Sequence, residues 1–363
     1  MANFYVNHTG SSTLPYDTEA KAATVITDAL GEATSGDTVL IKADQNYVMN
    51  GTDQQDAQFD VGNDDNITIK GYYLSPGDQD YGGTYYKDPD HGWVVIDANN
   101  GTFNVFSAGS KDKLVFSNIK TINVNSSETY CFFDLTPTTY KYGYVVRNCW
   151  ITGGFRAITC NYLYCPIIQD CKFTGTYTNH VIHFDGLANR GTMVEGCQFS
   201  HNNAGISIYV LGPGVQVIYN NIFNISGTIT YVIYLGYSSA GLTGFIANNV
   251  IYANTGGVIT KGIDISYTTT NAMIFNNIIV GCTKSIEDLA TVNFGGWNCF
   301  YNNGSNWTLR NGDIVADPQF MNAANGDFRL KPTSPCLNRG KPTLGGGYTD
   351  IGAWQRKSFL RWK

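Results

Sequence analysis

The sequence predicts an all-β solenoid, a parallel β-helix. Three observations predict it. A short phrase returns along residues 144–302 at spacings of 22–28 residues. Inside each repeat, runs such as GISIYV and GIDIS alternate in the two-residue period of a strand. The composition is poor in charge, at 14% against a usual ~25%, and rich in glycine, with 40 of 363 residues. That balance excludes a disordered chain and a coiled coil.

The phrase is an apolar residue, two variable residues, Cys or Asn, then a hydrophobic pair. Its copies are VRNCWI (146–151), IQDCKF (168–173), VEGCQF (194–199), IYNNIF (218–223), IANNVI (246–251), IFNNII (274–279) and GWNCFY (296–301), with a looser VFSNIK (115–120). The fourth residues, from Cys149 through Cys171, Cys197, Asn221, Asn249 and Asn277 to Cys299, are 22, 26, 24, 28, 28 and 22 apart. A propeller blade needs roughly 40 residues or more. One coil of a parallel β-helix fits this length, and coils stack at ~4.8 Å. Like residues then stack on like, which predicts a cysteine column running into an asparagine column. The asparagines are read as a turn ladder. Adjacent cysteines at strand spacing lie too far apart for a disulfide, so the nine cysteines are read as free, buried thiols.

Strands must keep register, so the variation in coil length goes into loops. Residues 17–30 (DTEAKAATVITDAL) carry a helical pattern that stops at Gly31, and predict an N-terminal capping helix. GDTVLIKA (36–43) opens the solenoid, and NITIKGYYL (66–74) and WVVIDANNG (93–101) continue it. An insert at 75–92 interrupts it; with Trp93 it reads either as a lip over a groove or as packing decoration. From 313 the period breaks, which predicts an irregular C-terminal cap. The expected divisions are 1–35, 36–312 and 313–363.

The net charge of −6 and the lack of a basic stripe argue against nucleic acid as a partner. No apolar stretch approaches the ~20 residues of a membrane-spanning helix, so no membrane partner is expected. The start, MANFYVNHTGSS, has neither a basic nor an apolar leader region. The expectation is a protein without classical export, as in a virion, or one that begins after a removed leader. Its expected place is extracellular or virion-associated.

The opening FYVNHTGSS with TVITDAL and GDTVLIKA, the phrase VVIDANNGTFNVF, and the NN-x-[IV] coils resemble the pectin-lyase-like superfamily. The close, DPQFMNAANGDFRLKPTSPCLNRG followed by TDIGAWQ, is similar to the end of many bacterial and phage β-helix proteins. The resemblance spans nearly the whole chain. It implies a single-stranded, right-handed β-helix, a polysaccharide partner, and the role of a lyase, hydrolase, epimerase, tailspike or non-catalytic adhesin. Calcium becomes a candidate cofactor and a homotrimer a candidate assembly. Fold does not choose among these activities. DPDH (88–91) is not the DPHE phrase of alginate epimerases, and the clustered Asp-Asp signature of polygalacturonase-like hydrolases is not seen in the coils. The acid-rich DVGNDDN (60–66) and DPDH read as turns.

Aligning VIHFD (181–185), GISIY (205–209), VIYLG (232–236), GIDIS (262–266) and SIEDL (285–289) puts the isoleucines inward. His183, Asp185, Tyr209, Tyr234, Asp264 and Glu287 then share one outer face. Such a strip suits a sugar chain, with rings stacking on sugar faces and carboxylates bonding hydroxyls. Asp264 and Glu287, one coil apart, have the separation of a retaining hydrolase pair. β-Elimination instead needs a base and a positive charge beside the uronate carboxylate. Lys172, Arg147, Arg156 and Arg190 are the candidate cations, with His183 or Tyr209 as base. Tyr234, Arg156, Arg190 and Trp93 are expected to bind substrate. The sequence expectation is a carbohydrate-active β-helix, a lyase or hydrolase that fits a viral depolymerase; the alternative is a non-catalytic virion or adhesion protein.

Overall fold

A computed structural model of the chain describes residues 1–49, 59–60, 65–80, 92–101, 104–109, 111–126, 131–137, 139–185, 191–236, 241–266, 271–288, 293–342 and 349–353. The chain forms two compact units, Met1–Lys172 and Phe173–Leu360. Each is an all-β solenoid of parallel strands with almost no helix.

In the first unit, one ladder runs through Asn3–Val6, Thr38–Lys42, Thr68–Tyr72, Val115–Ser117, Val145–Arg147 and Ile167–Gln169. A second ladder holds Tyr47–Val48, Val94–Asp97, Ile119–Ile122 and Trp150–Gly154. A third holds Phe59–Asp60, Phe106–Ser107, Cys131–Leu135 and Arg156–Cys160. Thr38–Lys42 does not open the first ladder, because Asn3–Val6 pairs outside it. Phe106, Phe116, Phe132 and Phe133 fill the interior with centroids 4.4–5.6 Å apart.

The predicted helix over 17–30 shrinks to Ile26–Glu32, with Ile26, Ala29 and Leu30 buried. The residues before it are committed elsewhere. The amides of Ser11 and Ser12 bond the carbonyls of Ala20 and Ala22, and the Ala23 amide bonds Tyr5. Gly10 lies so close to Ala22 that a Cβ would sit 2.1 Å from its carbonyl oxygen. Tertiary pairing therefore overrides a weak helical preference. The described start of the insert packs on the turns: Gln79 and Asp80 accept from the side-chain amides of Asn148 and Asn118. Its remainder, 81–91, lies outside the described residues.

In the second unit the first ladder is Thr192–Glu195, Gly214–Tyr219, Leu242–Ala247, Asn271–Phe275 and Asn293–Gly296. The second runs from Gln198 through Ile222–Ile225, Val250–Ala253, Ile278–Val280 and Cys299–Tyr301 to Ile314–Val315. The third is His180–Phe184, the end of Gln198–Val210, Thr228–Leu235, Val258–Ile265 and Cys282–Asp288. Inside, Phe173, Phe199 and Phe223 stack at 4.7 and 4.5 Å.

The asparagine doublet does two jobs. The first residue takes the left-handed conformation: Asn220, Asn248 and Asn276 have φ of 57°, 56° and 59°. Asparagine tolerates that region, and Gly196 fills it at φ 65°. The second asparagine points inward and builds the ladder. The Oδ1 atoms of Asn249, Asn277 and Asn298 accept the backbone amides of Asn221, Asn249 and Asn277 at 2.9–3.0 Å. The Nδ2 atoms of Asn221, Asn249 and Asn277 donate to Val194, Ile218 and Ile246 at 2.9–3.0 Å. Asp313 ends the ladder on the Asn298 amide at 2.7 Å.

Two copies of the phrase shift by one residue from their expected register. Cys299 pairs with Ile278, so Asn298 is the ladder member. Val115 pairs with Val145, so Asn118 matches Asn148 and both take left-handed φ, 63° and 47°. All nine cysteines are free; Cys165 is exposed and the other eight are buried. Cys149 and Cys171 occupy the asparagine slot in the first unit. Their thiols point at Phe116 and Val146 carbonyls at 3.9 and 3.5 Å, and burial pushes the Cys149 thiol well up.

His180 and His201 are strand residues. His201 is buried, 2.9 Å from Ser207 Oγ, and burial pulls its pKa down to about 4. The neutral ring is the stable form. Between pH 6.5 and 4 the unfolded chain takes up a proton that the folded one refuses, so stability falls as pH falls. Acidification across that window is expected to cost about 3 kcal/mol through this residue. Urea midpoints at pH 7 and 4.5 should converge for His201→Phe; equal acid sensitivity in both proteins would remove His201 as the cause.

The segment after Val315 lies along the outer side of the second ladder. Phe328, Cys336 and Ile351 pack on Ile222, Val250, Ile278 and Cys299. A hairpin, Phe320–Asn322 with Asp327–Leu330, carries Phe328 there. Residues 354–363 lie outside the described set.

Candidate functional surfaces

Each unit carries one chemically distinctive outer row. In the first unit it lies on the second ladder. Lys120 pairs with Trp150, and the Lys172 amide donates to the Cys149 carbonyl at 2.8 Å, which seats Lys172 one coil further on. Lys120 and Lys172 each place Nζ 4.0 Å from the Trp150 ring centroid. Trp93 meets Trp150 edge to face at 6.1 Å. The indole attracts both ammoniums, but it shields them from water and holds two like charges together. Burial, then the charge of Lys120, brings the Lys172 pKa down to about 8. Burial also lowers Lys120. Lys172 is therefore the amine in this pair that gives up its proton near neutrality.

Sequence reasoning singled out Lys172 and Trp93 and missed Trp150 and Lys120. Trp150 and Lys172 hold the same place in the phrase, after Cys149 and Cys171. Lys120 falls in line once VFSNIK is shifted by one, so the signal was present. Arg156 is on the third ladder of this unit, its guanidinium 4.9 Å from the Phe155 ring. Asp134 on the same ladder has its pKa raised by burial and accepts from Asn104 and Thr136. Arg190 lies outside the described residues.

In the second unit the row lies on the third ladder. His183, Tyr209, Tyr234, Asp264 and Glu287 are successive register partners. The structure thus brings five of the predicted residues together. Asp185 is not in the Tyr209 row: it follows the strand end at Phe184, level with Leu211, whose amide bonds the Phe184 carbonyl. The expected alignment of 205–209 slipped by two residues. A two-residue slip leaves every side chain on its own face, so alternation cannot detect it.

Three further expectations are corrected here. The rings do not offer open faces to a sugar. His180 stacks on Tyr209 at 4.5 Å, Tyr209 on Tyr234 at 5.0 Å, and the faces cover each other. The acids do not stand as a free hydrolase pair. Lys261 Nζ lies 2.7 Å from Asp264 and 3.7 Å from Glu287, and Lys284 lies 2.8 Å from Glu287. The hydrogen bond from Lys284 holds the Glu287 carboxyl below its usual range. A hydrolase needs one acid kept protonated, with a raised pKa. His183 and Asp264, expected on the outer face, are buried; the row presents the part-exposed phenols of Tyr209 and Tyr234 and the ion pair of Glu287, which suit hydrogen bonds to hydroxyls.

Among the described residues no group of three or more His, Cys, Asp or Glu side chains converges to hold a metal ion. Most of the acid-rich 60–66 and all of 88–91 lie outside that set. The lysine–tryptophan cluster offers amines and an indole, not the oxygen ligands calcium takes.

No family model matches the chain, and no curated protein matches it. Among solved structures it is similar to a pectate lyase, Pel9A, at 14% identity and TM-score 0.49, over 98% of this chain and 96% of that one. A rhamnogalacturonan lyase aligns at 10% identity and TM-score 0.43, over 98% and 96%. The PL6 family alginate lyase AlyGC aligns at 12% identity and TM-score 0.37, over 93% of this chain and 57% of that one. At such identities no residue role passes between the proteins; the solenoid is defined by the strand registers above.

Proposed function

We propose that this β-solenoid binds an acidic polysaccharide and cleaves it by β-elimination, with the chemistry at Lys172. The observation that carries the reading is the pair of ammoniums on Trp150, one of them with its pKa brought to about 8. Neutral Lys172 takes the proton beside the uronate carboxylate. The C–H electron pair forms the enolate-like carboxylate, which charged Lys120 stabilises. The pair then forms the C4–C5 double bond as the glycosidic oxygen leaves, and water protonates that oxygen. Trp93 and Trp150 wall the site. The row on the third ladder of the second unit is a separate glycan-binding surface, through the part-exposed Tyr209 and Tyr234. The working place that goes with such a substrate is extracellular or on a virion. The helix Ile26–Glu32 serves as the N-terminal cap.

The neutralised acids favour a second reading, a non-catalytic glycan-binding protein. One experiment separates the two. The protein is incubated with polygalacturonate, alginate, glycosaminoglycans and capsular polysaccharides, and unsaturated product is followed by ultraviolet absorbance. An absorbing product is expected with one acidic polymer, and Glu287→Gln should keep turnover within about 2-fold, the effect of losing a surface ion pair. Reducing ends without absorbance, abolished in Glu287→Gln, would establish a hydrolase instead. Binding without either product would establish the second reading.

A further inference from the structure

The second unit holds an open cavity of about 620 Å³, separate from the row on its third ladder. Its floor is the outer side of the second ladder. Tyr252, Val280 and Tyr301 are register partners on three consecutive coils. Val280 is too short to fill the space between the tyrosines, which stand two strand spacings apart, roughly 9–10 Å. Ala253 and Gly281 complete a floor of small side chains. A Cβ on Gly281 would sit 2.9 Å from the Ala253 Cβ, so the floor has been shaved to its minimum there. The far wall is the hairpin segment, with Asp317, Gln319, Phe320, Lys331 and Thr333.

The cavity differs from the third-ladder row in one physical respect. There, rings stack face to face along successive coils. Here, Tyr252 meets Phe320 and Phe328 near edge-on, at 84° and 67°, and Val280 breaks the tyrosine stack. A gap of two strand spacings accepts one saturated ring with van der Waals contact on both sides. The wall gives one carboxylate, one ammonium, an amide and a hydroxyl, so its formal charge is zero. Gln319 is held in place, accepting from Thr333 Oγ1 at 2.6 Å through Oε1 and from the Lys331 amide at 2.9 Å. The size fits a ligand of a few sugar rings.

We infer that this cavity is a second carbohydrate site, which seats an uncharged sugar residue between Tyr252 and Tyr301. It is independent of the cleavage reading and shares no residue with it. The acidic-polymer site carries two ammoniums; this one carries balanced charge, so the two sites select different sugars.

Binding to the full-length protein is measured by saturation-transfer NMR and titration calorimetry with cellotriose, maltotriose, β-1,4-galactotriose and trigalacturonate. At least one uncharged trisaccharide is expected to bind, and more tightly than trigalacturonate. Tyr301→Ala, at an exposed position, is expected to weaken it at least 10-fold. Lys172→Met should leave this binding unchanged, whatever it does to cleavage. No binding by any uncharged trisaccharide, preference for trigalacturonate, or binding that survives Tyr301→Ala would overturn the inference.

Discussion

Lys172→Met is expected to lower β-elimination by about 10²–10⁴-fold, the range for loss of a positioned acid–base group. Methionine keeps an unbranched stem to lie on Trp150 and removes only the amine. Lys172→Arg keeps the charge but has no accessible neutral form, so it should fail equally. The pH dependence fixes the role. Below about pH 8 Lys172 holds its proton and cannot accept another, so the wild-type rate should rise with pH through that value. A second readout needs no substrate. The folded state releases this proton near pH 8, whereas the unfolded chain holds it to about 10.4. Folding stability should therefore gain a component as pH rises from about 8 to 10.4, and Lys172→Met should lack it. Wild-type-like turnover in Lys172→Met, with its stability component gone, would show a perturbed lysine that is not the base.

Asn249→Leu is expected to destabilise the protein by about 4 kcal/mol, from two or three orphaned buried groups at about 1–3 kcal/mol each. Asn249 Oδ1 accepts from the amide and the Nδ2 of Asn221 at 3.0 and 3.1 Å, and Asn249 Nδ2 donates to Ile218 at 2.9 Å. Leucine keeps the branching and the heavy-atom count and supplies none of these hydrogen bonds. Asn249→Cys should cost less, because a thiol in this slot reaches the matching carbonyl, as Cys171 does toward Val146 at 3.5 Å. Urea unfolding of the three proteins checks the order. A loss under 1 kcal/mol for Asn249→Leu would mean the ladder is not a main source of stability.

Part of this was legible in the chain. The repeat length and the alternation led to stacked coils, and the Cys and Asn positions led to an inward column. Register to the single residue was not legible at the ends of the array. GWNCFY offers both an Asn and a Cys, and only the pairing of Cys299 with Ile278 makes Asn298 the ladder member. VFSNIK offered Asn118 as a match for Cys149, when its left-handed φ places it with Asn148. That single shift hid Lys120, and with it the second ammonium on Trp150.

The sequence by itself determined the two-residue strand period, the coil length, and the residue types that a tight turn and a buried column require. These are local properties, repeated along the chain, so each copy strengthens the inference. The tertiary structure alone decided which side chains meet across coils: that Lys261 and Lys284 neutralise Asp264 and Glu287, that Tyr209 covers its neighbours' faces, and that Lys120 and Lys172 close on one indole. Loops of unequal length separate those partners in sequence, and alternation is blind to a shift of two. Contact between coils is set by register, and register is fixed only when the whole stack packs.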